Sequence, residues 1–303
     1  MRQFNSIFVY WGAPQSNALI RFVTRLAASS GAHVTIGDTV ERIPEATLRA
    51  LPASWEVGAL IPAKKQNALG RVAGQMRRSG VKPSTILLQG DAADAVVETV
   101  VHDEHDLLVL HAPFTGMSDS DRDMTFRLVR ESSSPVLLAR DLRRRKRPRI
   151  LVAVDSATSL PRDADNLNSQ LVQAALWFAE HLDGEIYILN VWEPISEGPM
   201  RWAGVSQEGL TDSLAAVRDD LQKDLEDTVK SYRPEIRVAH VHVEIGEPRL
   251  VIPKFAADNR IDLIVIGTFA RSGLSGRIMG NSATAILDGS PCSMLIVPRV
   301  SQS

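Results

Sequence analysis

The sequence predicts an α/β protein built as two copies of one parallel-sheet domain, and three observations carry this. Short runs rich in Val, Ile and Leu alternate with helical stretches along the chain, the pattern of a parallel sheet covered on both faces. A set of landmarks repeats. Gly90 precedes Asp106 by 16 residues and Asp106 precedes Pro135 by 29, and Gly246, Asp262 and Pro291 keep both spacings at an offset of 156. Finally, 303 residues suit two domains of about 150 each.

In the first half, Ile7–Tyr10 reads as a strand and Ser16 as the N-cap of a helix reaching Ser29. His33–Ile36 is a second strand. Pro44, Pro52 and Pro62 mark an irregular segment before a helix that reaches Arg78 and stops at Gly80. Thr85–Leu88 is a strand, Asp91 to His105 a helix, Leu107–Leu110 a strand, Asp123 to Glu131 a helix and Pro135–Ala139 the last strand.

The second half repeats the plan. Ile150–Val154 is a strand, Asn166 to Leu182 a helix and Ile186–Val191 a strand. A loop from Glu193 to Gly209 precedes a charged helix, Thr211 to Tyr232, whose Leu214, Val217, Leu221, Leu225 and Val229 form one apolar stripe. Val238–Val243 is a strand, Pro248 to Asn259 a helix, and Leu263–Ile266 a strand that stops at Gly267. A glycine-rich loop then leads to a helix start at Gly280, Asn281 and Ser282, and Met294–Val297 closes the chain. At the front, Ile7–Tyr10 aligns with Leu151–Val154 at an offset of 144, which pairs Trp11 with Asp155. The 12 residues of difference then fall around the first helix or after Val191.

The predicted domains are 1–140 and 150–303, joined by a basic linker at 141–149. From Arg140 to Arg149 seven residues in ten are basic. With no aromatic interleaved and neither half otherwise basic, the run reads as a solvated linker rather than a nucleic-acid patch. The net charge of -2 gives no global pull toward nucleic acid or anionic membrane. One cysteine cannot form an internal disulfide, and no apolar run approaches the ~20 residues of a membrane span. The expectation is a cytoplasmic protein.

Strand, glycine loop and helix N-terminus together form a phosphate cradle, because unpaired N–H groups and the positive dipole end meet there. Other candidates are weaker. His102 and His105 near Asp103, Glu104 and Asp106 could ligate a metal, but read as a charged helix end. His240 and His242 share a strand face and read as surface or edge-of-core residues. Cys292 reads as a half-buried packing residue. No Gly-x-Ser-x-Gly elbow or Walker lysine is present, so the sequence gives no catalytic residues.

Val265-Ile266-Gly267-Thr268, Gly273-Leu274-Ser275-Gly276, Gly280-Asn281-Ser282-Ala283 and Pro291 to Pro298 resemble the universal stress proteins. The two-copy arrangement is similar to the tandem E-type members. The resemblance implies two doubly wound domains, each a five-stranded parallel sheet of order 3-2-1-4-5 with helices on both faces. It implies a ligand at the carboxyl ends of the strands. It also implies a non-enzymatic stress-response protein holding ATP or AMP, with or without magnesium, in the C-terminal domain; turnover would be at most slow ATP hydrolysis. The implied contacts are Ala153, Asp155, Val191, Ile266, Gly267, Ala270, Arg271, Gly280, Asn281 and Ser282, with Arg277 a further counter-charge. Ala270 and Asn281 depart from the family motif, which has glycine and Ser or Thr there. At the offset of 156, Gly267, Ala270, Gly280, Asn281 and Ser282 fall on His111, Phe114, Met124, Thr125 and Phe126. The first domain is therefore expected to bind no nucleotide, its cleft closed or apolar. The alternative is a nucleotide-free interaction protein, an internal pseudo-dimer through Val136–Ala139 and Met294–Val297, open to other chains of the family.

Overall fold

The structure is a computed structural model that describes residues 4–12, 16–41, 57–112, 118–140, 145, 147–154, 163–192, 215–223, 225–226, 238–267, 285–287 and 289–298. Two compact units emerge, one built mainly on residues 3–144 and the other mainly on 145–294.

The first unit runs β1 (Ser6–Tyr10), α1 (Asn17–Ser30), β2 (His33–Val40), α2 (Val57–Arg78), β3 (Ser84–Gln89), α3 (Ala92–His102), β4 (Leu107–His111), α4 (Asp119–Glu131) and β5 (Val136–Ala139). Its strands lie in the order β3-β2-β1-β4-β5 and pair in parallel. Right-handed crossovers then send α1 and α2 to one face and α3 and α4 to the other, and each pair packs together. The core is apolar on both sides of β1, where Ile7, Phe8 and Val9 are all fully buried.

Local chemistry explains the element ends. Ser16 caps α1 by accepting a hydrogen bond from Leu19 N at 3.3 Å, and Gly31 ends it at φ 73°, a conformation suited to glycine. Asp91 caps α3 by accepting from the N–H groups of Ala93 and Asp94; those bonds, with Arg127 beside it, hold its carboxyl below the usual range. Two expectations change here. Pro62 lies inside α2 rather than before it, where its missing N–H removes one hydrogen bond of the helix ladder. The helix expected to reach His105 ends at His102.

The second unit runs β6 (Arg149–Val154), α5 (Asp163–Leu182), β7 (Glu185–Trp192), β8 (Val238–Ile245), α6 (Pro248–Asp258), β9 (Leu263–Gly267) and β10 (Ser293–Val297), with helical residues also at 215–223 and 285–287. The order β8-β7-β6-β9-β10 repeats that of the first unit. The expected loop 193–209 and the ends of the charged helix lie outside the described residues.

An aspartate sets the register of each unit. Asp106 accepts from the N–H groups of Asn5 at 2.9 Å and Ser6 at 3.1 Å, while its own N–H donates to Ser6 O at 2.9 Å. Asp262 does the same with Arg149, accepting at 2.9 Å and donating at 2.8 Å, and takes Arg145 at 3.2 Å. Ser6 therefore matches Arg149, which makes the front offset 143 (149 less 6) and corrects the expected 144. The apolar strands alone fit either register, and the hydrogen bonds decide. For the second strands, His33 N donates to Asn5 O and Glu185 N to Pro148 O, an offset of 152 (185 less 33). Nine residues are thus inserted before the second strand (152 less 143) and four between the second and third (156 less 152).

The basic run is largely paired where it is described. Arg147 faces Asp183 at 3.3 Å, and Arg149 donates to Asn259 O at 2.8 Å beneath the cation-attracting ring of Tyr187. Among the described residues no helix is long and apolar enough to cross a membrane.

His105, which follows α3, turns inward. It is buried, its Nδ1 lies 2.8 Å from Ser6 Oγ, and its ring tilts on Phe8. Burial holds its pKa below the ordinary 6.5, against the pull of Asp103 and Asp106. The folded state therefore favours the neutral ring, so the contribution of His105 is present above pH 6.5 and is lost as pH falls through the depressed value. Chemical unfolding at pH 5 and 8 should show a smaller difference for His105→Gln than for the parent. Asp106→Ala should lose about 1–3 kcal/mol in urea unfolding, because it strands main-chain donors, and Asp106→Asn should lose less.

Candidate functional site

The register puts four of the expected site residues at one end of the second sheet. Val152 sits beside Val265 of β9 on one side and Ile188 of β7 on the other, and Val154 stands opposite Asn190. Ala153, Val191, Ile266 and Gly267 consequently gather where the strand order reverses beside β6, the position at which open α/β sheets bind ligands. Ala153 and Ile266 are buried and Val191 is half-buried. Asp155, Ala270, Arg271, Gly280, Asn281 and Ser282 lie outside the described residues, as does Arg277.

Gly267 is confined by packing. A Cβ there would come 2.8 Å from Leu167 Cδ2 of α5. The missing side chain lets helix and strand approach closely.

Asn190 was not foreseen as a site residue. It is 2 % exposed, and its Nδ2 donates to Val154 O at 3.0 Å. The only sequence signal is a polar residue inside the run Ile186-Tyr187-Ile188-Leu189-Asn190-Val191.

The same end of the first unit is filled from within. With the corrected offsets, Tyr10, Trp11 and Gly12 match Ala153, Val154 and Asp155, while Asp38 and Thr39 match Asn190 and Val191. Trp11 is therefore not the counterpart of Asp155; Gly12 is. The Tyr10 ring folds over Gly12 so closely that a Cβ on Gly12 would lie 2.3 Å from its hydroxyl oxygen. Its hydroxyl bonds Thr39 Oγ1 at 3.1 Å, and burial raises the phenol pKa to about 12. Asp38, 1 % exposed, accepts from Lys65 Nζ and Thr39 N, each at 2.7 Å. The filling is thus partly polar, not only the apolar bulk expected from the aromatic residues.

The first-unit positions aligned with the glycine loop are partly helical. Met124, Thr125 and Phe126 lie within α4, which Ser118 caps and which starts earlier than the expected Asp123. Thr125 Oγ1 donates back to Asp121 O. His111 ends β4, half-buried, and Phe114 lies outside the described residues.

The other candidates separate. His102 is exposed whereas His105 is buried. His240 is exposed and stacks on Tyr187, and His242 packs on Phe255. Cys292 is more deeply buried than expected, at 4 % exposure. No group of three or more His, Cys, Asp or Glu suited to a metal occurs among the described residues. An open groove of about 560 Å3 runs between α1 and α2, away from the strand ends, with Arg21, Arg25 and Arg78 along it.

Comparison with known proteins agrees with this geometry. The model of the "Universal stress protein family" matches residues 4–140 and 146–298. The chain belongs to the universal stress protein family. It is 25% identical over 270 residues to "Universal stress protein E homolog" of Haemophilus influenzae, covering 82% of this chain and 84% of that one. It is also 25% identical over 211 residues to "Universal stress protein E" of Escherichia coli K12, covering 67% and 64%. Among solved structures, a putative universal stress protein from Pseudomonas aeruginosa UCBPP-PA14 superimposes with a TM-score of 0.71 at 19% identity, over 97% of this chain and 93% of that one. One from Archaeoglobus fulgidus gives 0.66 at 15%, over 99% and 98%. This family member therefore carries two tandem doubly wound domains.

Gly12→Asp, which restores a carboxylate to the first unit, should collide with the Tyr10 ring and cost about 1–3 kcal/mol. Adding Tyr10→Ala should recover part of that loss, as read in a thermal or urea double-mutant cycle.

Proposed function

We propose that this chain is a non-enzymatic stress-response protein that binds an adenine nucleotide, ATP or AMP, in its C-terminal domain. One observation supports the reading most: β6, β7 and β9 bring Ala153, Val191, Ile266 and Gly267 together at the switch point. The neighbouring loops carry Asp155 and the segment from Ala270 to Ser282 in sequence. On this reading Asp155 holds the base or ribose side. Gly267, Gly280, Asn281 and Ser282 hold the phosphates through main-chain N–H groups and short polar side chains, with Arg271 and Arg277 balancing charge. Ala270 supplies main-chain approach only. Magnesium bound with the nucleotide would help offset the phosphate charge.

The first unit supports the assignment to one domain. It has Gly12 where the second has Asp155, the Tyr10 ring over that position, and Met124, Thr125 and Phe126 where the second has Gly280, Asn281 and Ser282 in sequence. Its proposed role is as a non-binding copy. The proposed organisation is 1–140, a basic linker at 141–149, and 150–303.

Calorimetry with ATP and with AMP at millimolar ligand should give one site per chain. Asp155→Ala should weaken it about tenfold, equivalent to about 1.4 kcal/mol, without loss of folding. Flat titrations of well-folded parent protein would overturn the reading and favour the nucleotide-free interaction protein instead.

A further inference from the structure

The open groove between α1 and α2 carries a charge that the fold does not require. Along these two helices the sequence places seven basic residues, two in α1 and five in α2, and no Asp or Glu. A helix face that serves only solubility mixes both signs. The other helix pair of the same unit differs, since α3 and α4 together carry six acidic residues and three arginines. In the second unit α5 follows the first strand as α1 does here, and it has no Lys or Arg from Asp163 to Leu182. The basic groove therefore belongs to the first unit and not to the repeated scaffold.

Lys65 is committed to Asp38. Arg21, Arg25 and Arg78 line the groove, all exposed, with Asn17, Gln75 and Ser79 beside them. Among the described residues no carboxylate lines it. The helix end accounts for Arg78, which complements the negative pole of α2, but Arg21 and Arg25 lie inside α1. They are four residues apart, about 6 Å along the axis, where like charges on one helix face repel. An anion seated between them removes that repulsion, and guanidinium forks match phosphate oxygens two at a time. The floor adds little. Ile20 and Thr24 are buried, and the Thr24 hydroxyl is spent on Ile20 O at 2.6 Å. Recognition falls to the rim, where both helices supply cations and neutral polar side chains lie near them. The volume of about 560 Å3 is that of a small-molecule site. No aromatic lines it, so the bases of a nucleic acid have nothing to stack on.

We propose that this groove binds a small sugar or polyol carrying two phosphate groups. Arg21 and Arg25 of α1 hold one phosphate and Arg78 of α2 holds the other. Asn17, Gln75 and Ser79 meet the hydroxyl groups between them. The site is away from the strand ends and does not rest on the nucleotide reading.

Fructose 1,6-bisphosphate and fructose 6-phosphate serve as probes, in calorimetry of the full chain at low ionic strength. The parent should bind the bisphosphate at one site per chain, about tenfold more tightly than the monophosphate. Arg78→Gln should bring the bisphosphate down to the affinity of the monophosphate. Arg21→Gln combined with Arg25→Gln should weaken it by about tenfold or more. All three side chains are exposed, so circular dichroism should show the variants folded like the parent. Asp155→Ala should leave bisphosphate affinity unchanged, which separates this groove from the strand ends of the second unit. Absence of bisphosphate binding by folded parent overturns the proposal, as does equal affinity for the two probes or undiminished affinity in the folded Arg21→Gln, Arg25→Gln variant. A single-stranded oligonucleotide that binds at these arginines where the bisphosphate does not also overturns it, in favour of a nucleic-acid surface.

Discussion

Everything at the carboxyl ends of these sheets depends on a bond made at the opposite ends. Asp106 and Asp262 each hold the start of the neighbouring first strand through main-chain groups. In a parallel pair, a slip of one residue would turn every side chain to the other face. The carboxylate prevents that slip where the strand's apolar residues cannot, since one buried Val or Ile replaces another at little cost. Because the strands are straight and short, fixing one end fixes the other. Val154, Asn190 and Gly267 meet at the far end because Asp262 has already aligned the near end.

The fold was largely legible for a simple reason. Parallel strands buried on both faces leave continuous apolar runs, and the helices between them carry recognisable caps such as Ser16 and Asp91. The back half of the repeat was readable because Gly90, Asp106 and Pro135 have chemically distinct jobs. The front was misread by one residue. Ile7 to Tyr10 and Leu151 to Val154 are interchangeable as apolar strings, and only hydrogen bonding from Asp106 and Asp262 tells them apart. Pro62 was taken for a helix boundary because proline is a strong breaker inside a helix, yet α2 runs through it. His105 looked like a helix-end residue because nothing local reveals that Ser6, 99 positions away, receives it.

Of the candidate site, the strand ends were legible, the glycine loop lies outside the described residues, and the buried polar position at Asn190 was not foreseen. Asn190 sits in an apolar run, and its bond to Val154 O on the neighbouring strand is one that no sequence pattern encodes. Its counterpart Asp38 was equally hidden, since the ion pair with Lys65 joins β2 to α2 across 27 residues. The two units thus share a scaffold and differ in how the same position is satisfied.

The ring of Tyr10 lying over Gly12 has a consequence for how such a chain can change over time. A single replacement at Gly12 meets the ring, while removing the ring alone opens a void beside Trp11 and leaves Thr39 without its bond. Each step toward a carboxylate at that position is disfavoured unless the other has already occurred. The two positions are therefore coupled, and a change at one is tolerated best when the other changes with it.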